Sequence, residues 1–294
     1  TFFTLGLTST KIIANISSIG GSAILVSGVC YSQTNQTPTT SDNVTTDGTT
    51  SLGIFKSTIT GLSQNTTYYA RPYASNSDGT AYGAAFSFST YGTVTTATGR
   101  VWLDRNLGAT RVATSVNDLS GYGDYYQWGR PADGHQTKYL TNNNSTGFTN
   151  TRSATAVPAT DLWIEPTDGS NDWLSTPDNT LWTGANPATN PCPAGFRIPT
   201  EAEWSAENIA NVGATFQTNG LKLTLPGMLT SFGSGGASYT AKGTYGQYLT
   251  QTAYSTSPVV GGARYFGVNG NNQAWFDQNY YKSHGMSVRC IQNQ

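Results

Sequence analysis

One fourteen-residue stretch limits what this chain can fold into more than any other: Pro191-Cys192-Pro193-Ala194-Gly195-Phe196-Arg197-Ile198-Pro199-Thr200-Glu201-Ala202-Glu203-Trp204. Thr200 is a natural N-cap. Glu203 falls three residues later, where a carboxylate can reach back to the Thr200 N–H. Pro199 biases Ile198 toward an extended backbone, so the spacing predicts a strand running straight into a helix. Trp204 and Ile209 give that helix an apolar face.

A second anchor is Met286-Ser287-Val288-Arg289-Cys290, a short alternating strand carrying the only other cysteine of this half. Three cysteines in all are consistent with one disulfide and one thiol. A Cys192–Cys290 bond is the expectation, with reduced structural thiols as the alternative. Such a bond closes a loop of about a hundred residues and contributes on the order of 4–5 kcal/mol in the chain-entropy model. Charged residues are only 11% of the chain, with a net charge of −1, against roughly 25% in ordinary globular proteins. That leaves no basic field for a nucleic acid or an anionic membrane. Nor does any apolar run approach the roughly 20 residues of a membrane helix. Solubility rests on Thr, Ser, Asn, Gln and Gly, which suits an extracellular β-rich protein, mature or trimmed at Thr1.

All seven tryptophans lie at or beyond Trp102. This asymmetry predicts two domains, 1–93 and 94–294. The first reads as strands at Lys11–Ser18, Ser22–Ser32, Gly53–Thr60, Thr66–Ala74 and Ala81–Ser89, preceded by a first strand at Thr1–Leu5, together a small β-sandwich. Leu62 and Tyr68 have the spacing of a tyrosine corner, in which the phenol bonds back to the preceding backbone. Cys30 alternates onto the face of Ile24 and Val26, so a buried, inert thiol is expected.

The segments Gly28-Val29-Cys30-Tyr31-Ser32, Ile59-Thr60-Gly61-Leu62, Thr66-Thr67-Tyr68-Tyr69-Ala70-Arg71 and Ala74-Ser75-Asn76-Ser77-Asp78-Gly79-Thr80 give this half its family likeness. It resembles the fibronectin-III-like repeats of Bacteroidetes surface proteins, an immunoglobulin-type fold used as a spacer or binding module.

From Gly99 the texture changes. Arg100–Ala109 begins as a strand and ends in a turn, and Tyr122–Arg130 is an aromatic cluster forming a short helix or irregular turn. Residues 131–190 are mostly loop, but Trp163, Trp173 and Trp182 need something to bury against. Strands are expected at Leu221–Leu225, Gly227–Ser231, Gly246–Tyr254, Arg264–Val268, Gln273–Phe276 and Gly285–Ile291, as a twisted antiparallel sheet. Trp102–Ala109, Tyr126-Gln127-Trp128-Gly129-Arg130, Asn190–Trp204 and Ser287-Val288-Arg289-Cys290 together resemble the major paralogous domain family first named from Fibrobacter succinogenes. That family is itself similar to C-type-lectin-like and formylglycine-generating-enzyme-like folds. The resemblance implies an α+β domain that displays loops on a surface or secreted protein.

Formylglycine-generating enzymes rely on an active-site cysteine pair that binds copper. Here Cys192 and Cys290 occupy scaffold positions, so such an oxidase is only a third reading. His135 and His284, the only histidines, are expected as solvated loop residues. Glu165 and the Asn171-Asp172 pair resemble lectin calcium ligands, but they lie upstream of Cys192, and ordinary turn acids are the plainer reading. No catalytic residue, cofactor or metal is expected. The richest binding candidates are Asn269, Asn271 and Asn272 with Trp275, Asp277, Asn279, Tyr280, Tyr281 and Lys282. They read as two loops, Asn269–Asn272 and Asp277–His284, flanking a hairpin strand, with a polar Asn-Gly hairpin as the plain alternative. The leading expectation is a non-catalytic extracellular protein in which a β-sandwich stalk presents a C-type-lectin-like domain to a glycan or protein. A filament subunit contacting copies of itself is the alternative.

Overall fold

The computed structural model describes residues 2–48, 50–137, 147–184, 187–209, 220–230, 238–256, 259–270 and 273–293. The chain is β-rich, with several antiparallel sheets. It divides into two compact units, Thr1–Gly92 and Thr93–Gln294.

In the first unit, β1 (Phe2–Leu5), β2 (Ser9–Ile16) and β5 (Gly53–Thr60) form one sheet. The other contains β4 (Asn43–Val44), β3 (Val26–Ser32) and β6 (Thr67–Asn76), followed by β7 (Gly79–Tyr82) and β8 (Phe86–Ser89), which both pair with β6. Strands β2 and β5 alternate inward and outward along their length. Their inward residues Ile12, Ala14, Ile16, Phe55 and Ile59 meet Ile24, Val29, Tyr68 and Phe88 in the core. The single strand expected over Ala81–Ser89 is instead two. Pro72, in the middle of β6, accepts from Gly83 N–H but has no N–H to return, so the ladder breaks there. The tyrosine corner is present: Tyr68 Oη accepts the Ser63 N–H at 2.9 Å, and its ring stacks on Phe88. Cys30 is a buried free thiol, pushed up to about 11 by burial and the Asp42 carboxylate.

The second unit runs β9 (Thr93–Thr95), β10 (Val101–Leu103), β11 (Tyr126–Gln127), β12 (Phe148–Thr149), β13 (Trp163–Ile164) and β14 (Phe196–Arg197), then helix α1 (Glu201–Ala206). It continues through β15 (Met228–Thr230), β16 (Ser238–Thr240), β17 (Tyr245–Thr256), β18 (Val259–Asn269), β19 (Ala274–Tyr281), β20 (Gly285–Met286) and β21 (Ile291–Gln292). β14, β21, β10 and β9 make one antiparallel sheet, and β11, β20, β15 and β16 another. β12 and β13 are a parallel pair, whereas β17, β18 and β19 form a long antiparallel meander. Cys192 and Cys290 are joined, which ties the turn before β14 to the start of its partner β21.

Helix α1 starts where the sequence places it. Thr200 Oγ1 accepts the Glu203 N–H, and Glu203 Oε2 accepts the Thr200 N–H. Arg197 adds a two-pronged contact to the same carboxylate. Burial alone would raise the Glu203 carboxyl; the Arg197 and Thr200 donors outweigh it and hold it at about 2. Trp204 carries the helix into the core, stacked on Phe266 of β18 and tilted against Trp102 and Tyr248. Ile209 is buried in the same cluster but lies beyond the helix end.

Two further strand expectations need correction. Leu221–Leu225 is buried yet outside any strand, because side chains take its backbone groups: Arg289 donates to Leu221 O, and the Tyr248 hydroxyl bonds both Thr224 N–H and Thr224 O. Gly285–Ile291 is broken into β20 and β21, and the residues between them bond to other segments: Ser287 N–H to Gln247 O, and Val288 O and Cys290 O to Leu107 N–H and Leu103 N–H.

Candidate ligand-binding face

Strands β17–β19 put alternate residues on opposite faces. The inner face carries Tyr248, Phe266, Val268 and Phe276 against Trp204. Register then fixes the other face. Tyr245 stands opposite Asn269, Gln247 opposite Gly267, Gly267 opposite Trp275, and Tyr265 opposite Asp277. After a bulge between Ala263 and Tyr265, Tyr280 joins the same face opposite Ala263.

At the centre lies the Tyr265 hydroxyl. It donates to Asp277 Oδ2 at 3.2 Å and is hydrogen-bonded by Gln247 and Trp275. Burial raises its pKa; the Gln247 and Trp275 bonds oppose that rise, and the Asp277 and Tyr280 charges add to it. The phenol therefore stays protonated and acts as a hydrogen-bonding hub. Tyr280 meets Tyr265 edge-on at 5.0 Å, and its own phenol is raised first by burial and then by Asp277. The Trp275 indole lies across Gly267, and Tyr245 stands at 90° to it, 5.7 Å between centroids. Trp275, Asp277 and Tyr280 are half-buried, and Tyr245 is 37% exposed. This face offers ring surface bordered by a carboxylate and an amide.

The residues singled out from sequence divide sharply. Trp275, Asp277 and Tyr280 come together on this face. The expected Asp277–His284 loop is strand as far as Tyr281, because β18 pairs with Asp277 and, past a bulge, with Tyr280 and Tyr281. Tyr281 packs on His284 and is 37% exposed. Asn279 lies in β19, and Asn271 and Asn272 lie outside the described residues. Asn269 is buried and committed to the hairpin end. Its Oδ1 accepts the Gln273 N–H and its Nδ2 donates to Gln273 Oε1.

Lys282 is not a surface contact. It is 0% exposed. Its ammonium has three donors, and it meets Asp172 Oδ2 at 3.2 Å, Asn179 Oδ1 at 2.8 Å and Asp178 O at 3.1 Å, over the Trp128 ring. Asp172 Oδ1 accepts the Leu174 N–H, as a turn carboxylate does, while its Oδ2 faces Lys282; Glu165 is buried as well. Among the described residues, no three His, Cys, Asp or Glu side chains gather as a metal site.

Both histidines are buried too, contrary to the solvated reading. His135 Nδ1 sits 2.6 Å from Asp133 Oδ1, and its Nε2 accepts the Gln127 N–H. Burial and the Arg130 guanidinium outweigh Asp133 and lower His135 to about 4. Around it, the loop tryptophans find their burial. Trp173 Nε1 donates to Trp128 O, and Trp182 Nε1 to Arg130 O.

Sequence reading missed Tyr245, Gln247 and Tyr265, although the signal was present. Tyr245-x-Gln247-x-Leu249 and Tyr265-x-Gly267-x-Asn269 share one period-2 face. Compared with protein-family models and with curated proteins, the chain matches none.

Proposed function

We propose that this is a non-catalytic, extracellular ligand-binding protein. In this reading a fibronectin-III-like sandwich accompanies a C-type-lectin-like unit of the major paralogous type, and the outer face of β17–β19 is the binding surface. One observation carries it: Trp275 and Tyr245 form an aromatic corner whose indole is hydrogen-bonded to the buried Tyr265 hydroxyl. Aromatic side chains with adaptable polar neighbours supply contact area at low entropic cost. A rigid sheet keeps them in place without ligand, which reduces the ordering cost of binding. Low charge and an expected disulfide, present as Cys192–Cys290, support an oxidising, extracellular setting.

The test is a paired glycan and protein array probed with the wild-type chain and with Tyr245→Ala. The reading expects at least a tenfold loss of binding in the variant, about 1.4 kcal/mol, with an unchanged melting midpoint. Full binding by a folded variant would move the binding surface elsewhere.

A further inference from the structure

We propose that the Trp275–Tyr245 corner takes a neutral saccharide, one sugar ring stacking on the indole while its hydroxyls reach the Asp277 carboxylate and the Gln247 amide. The inference rests on the ligand-binding reading above and names its chemical class.

Three observations support it. First, the indole is seated by a glycine. A Cβ on Gly267 would lie 2.4 Å from Trp275 Cε2 and 2.6 Å from Cζ2, so only the bare backbone lets the ring lie so close along the sheet. That leaves its opposite ring face turned away from the backbone. Tyr245 rises perpendicular to it and forms one wall. A platform with a wall suits a ring that has an apolar C–H face and a polar perimeter, because the C–H face packs on the indole.

Second, polar capacity at the foot of the corner is unspent. Gln247 is 4% exposed, its amide bonds the Tyr265 hydroxyl, and its Oε1 has no hydrogen-bond partner among the described residues. Reversing the amide leaves its nitrogen over instead, so either orientation holds one group in reserve. Buried polar atoms in native proteins nearly always find a partner. A ligand hydroxyl, directly or through one water, supplies a donor or an acceptor as required.

Third, charge narrows the class. Asp277 places a carboxylate beside the corner, which disfavours anionic polymers. A quaternary ammonium is drawn to aromatic rings, but it needs them spaced around an enclosed volume. Tyr245 and Trp275 are instead in direct edge-to-face contact. A neutral sugar fits both conditions.

The test is affinity electrophoresis of the intact chain through gels containing soluble β-glucan, mannan or xylan, with polygalacturonate and a choline-bearing polymer in parallel. At least one neutral polymer should retard the wild type. Trp275→Ala should weaken that retardation at least tenfold, Trp275→Phe should retain part of it, and Gln247→Leu should weaken it severalfold. Circular dichroism melts establish which variants fold, and Trp275→Phe keeps the test valid if the alanine variant does not. Retardation by none of the neutral polymers, or only by polygalacturonate or the choline polymer, overturns the saccharide class. If binding to one of those other polymers still depends on Trp275, the binding face survives without the sugar. Retardation that ignores every Trp275 variant overturns both.

Discussion

Trp275 and Gly267 face each other across β18 and β19, with the indole lying where any side chain on residue 267 would stand. Gly267→Ala should therefore displace the indole at an overpacking cost of about 1–3 kcal/mol. Tryptophan emission should shift to the red as the ring moves into water, and ligand binding should fall with it. An unchanged emission spectrum and melting midpoint would mean that the ring does not rest on the glycine.

Lys282 and Asp172 form a buried ion pair just beyond the end of β19. Lys282→Met leaves the Asp172 charge without its partner and should destabilise by about 3–5 kcal/mol, whereas Lys282→Met/Asp172→Leu should recover much of that loss. Urea denaturation of the two variants measures the difference. Equal stability of the single and double variants would show that the pair does not hold this loop to the end of β19.

Acid should remove stability from the second unit over two pH windows. The unfolded chain protonates a histidine near 6.5, while His135 in the fold resists until about 4. Its contribution is complete above pH 6.5 and is lost as pH falls toward 4, at most about 3 kcal/mol. Glu203, held at about 2 against an ordinary 4.5, adds stability above pH 4.5 that fades between pH 4.5 and 2. Melting midpoints of the wild type and His135→Gln should converge as pH drops from 7 to 4. Parallel curves would show that His135 is not buried as a neutral ring.

Thr200→Ala removes the acceptor for the Glu203 N–H and should cost about 1 kcal/mol, within the usual 0.5–2. Differential scanning calorimetry reads this directly. No shift would mean that the Arg197–Glu203 pair secures the helix start without the cap.

What the sequence reveals depends on how local the cause is. The α1 cap and the Tyr68 corner depend on residues within a few positions of each other, and both are present as read. Cys192 and Cys290 pair across the chain but were the only two cysteines of their half. Lys282 was misread because its counter-charge comes from a distant loop; no local pattern announces a buried lysine. The Asp277–His284 segment reads as a loop, whereas pairing with β18 at Asp277, Tyr280 and Tyr281 makes it strand as far as Tyr281. Pairing also decides that Trp275, Tyr265 and Tyr245 share a face, since each belongs to a different strand.

The most direct measurement is hydroxyl-radical footprinting of the intact chain, alone and saturated with its strongest array ligand. If the outer face of β17–β19 binds, oxidation at Trp275 and Tyr245 should fall severalfold on saturation, while Tyr31 in the first unit stays unchanged. Protection at other residues, with Trp275 and Tyr245 oxidised equally in both samples, would contradict the account.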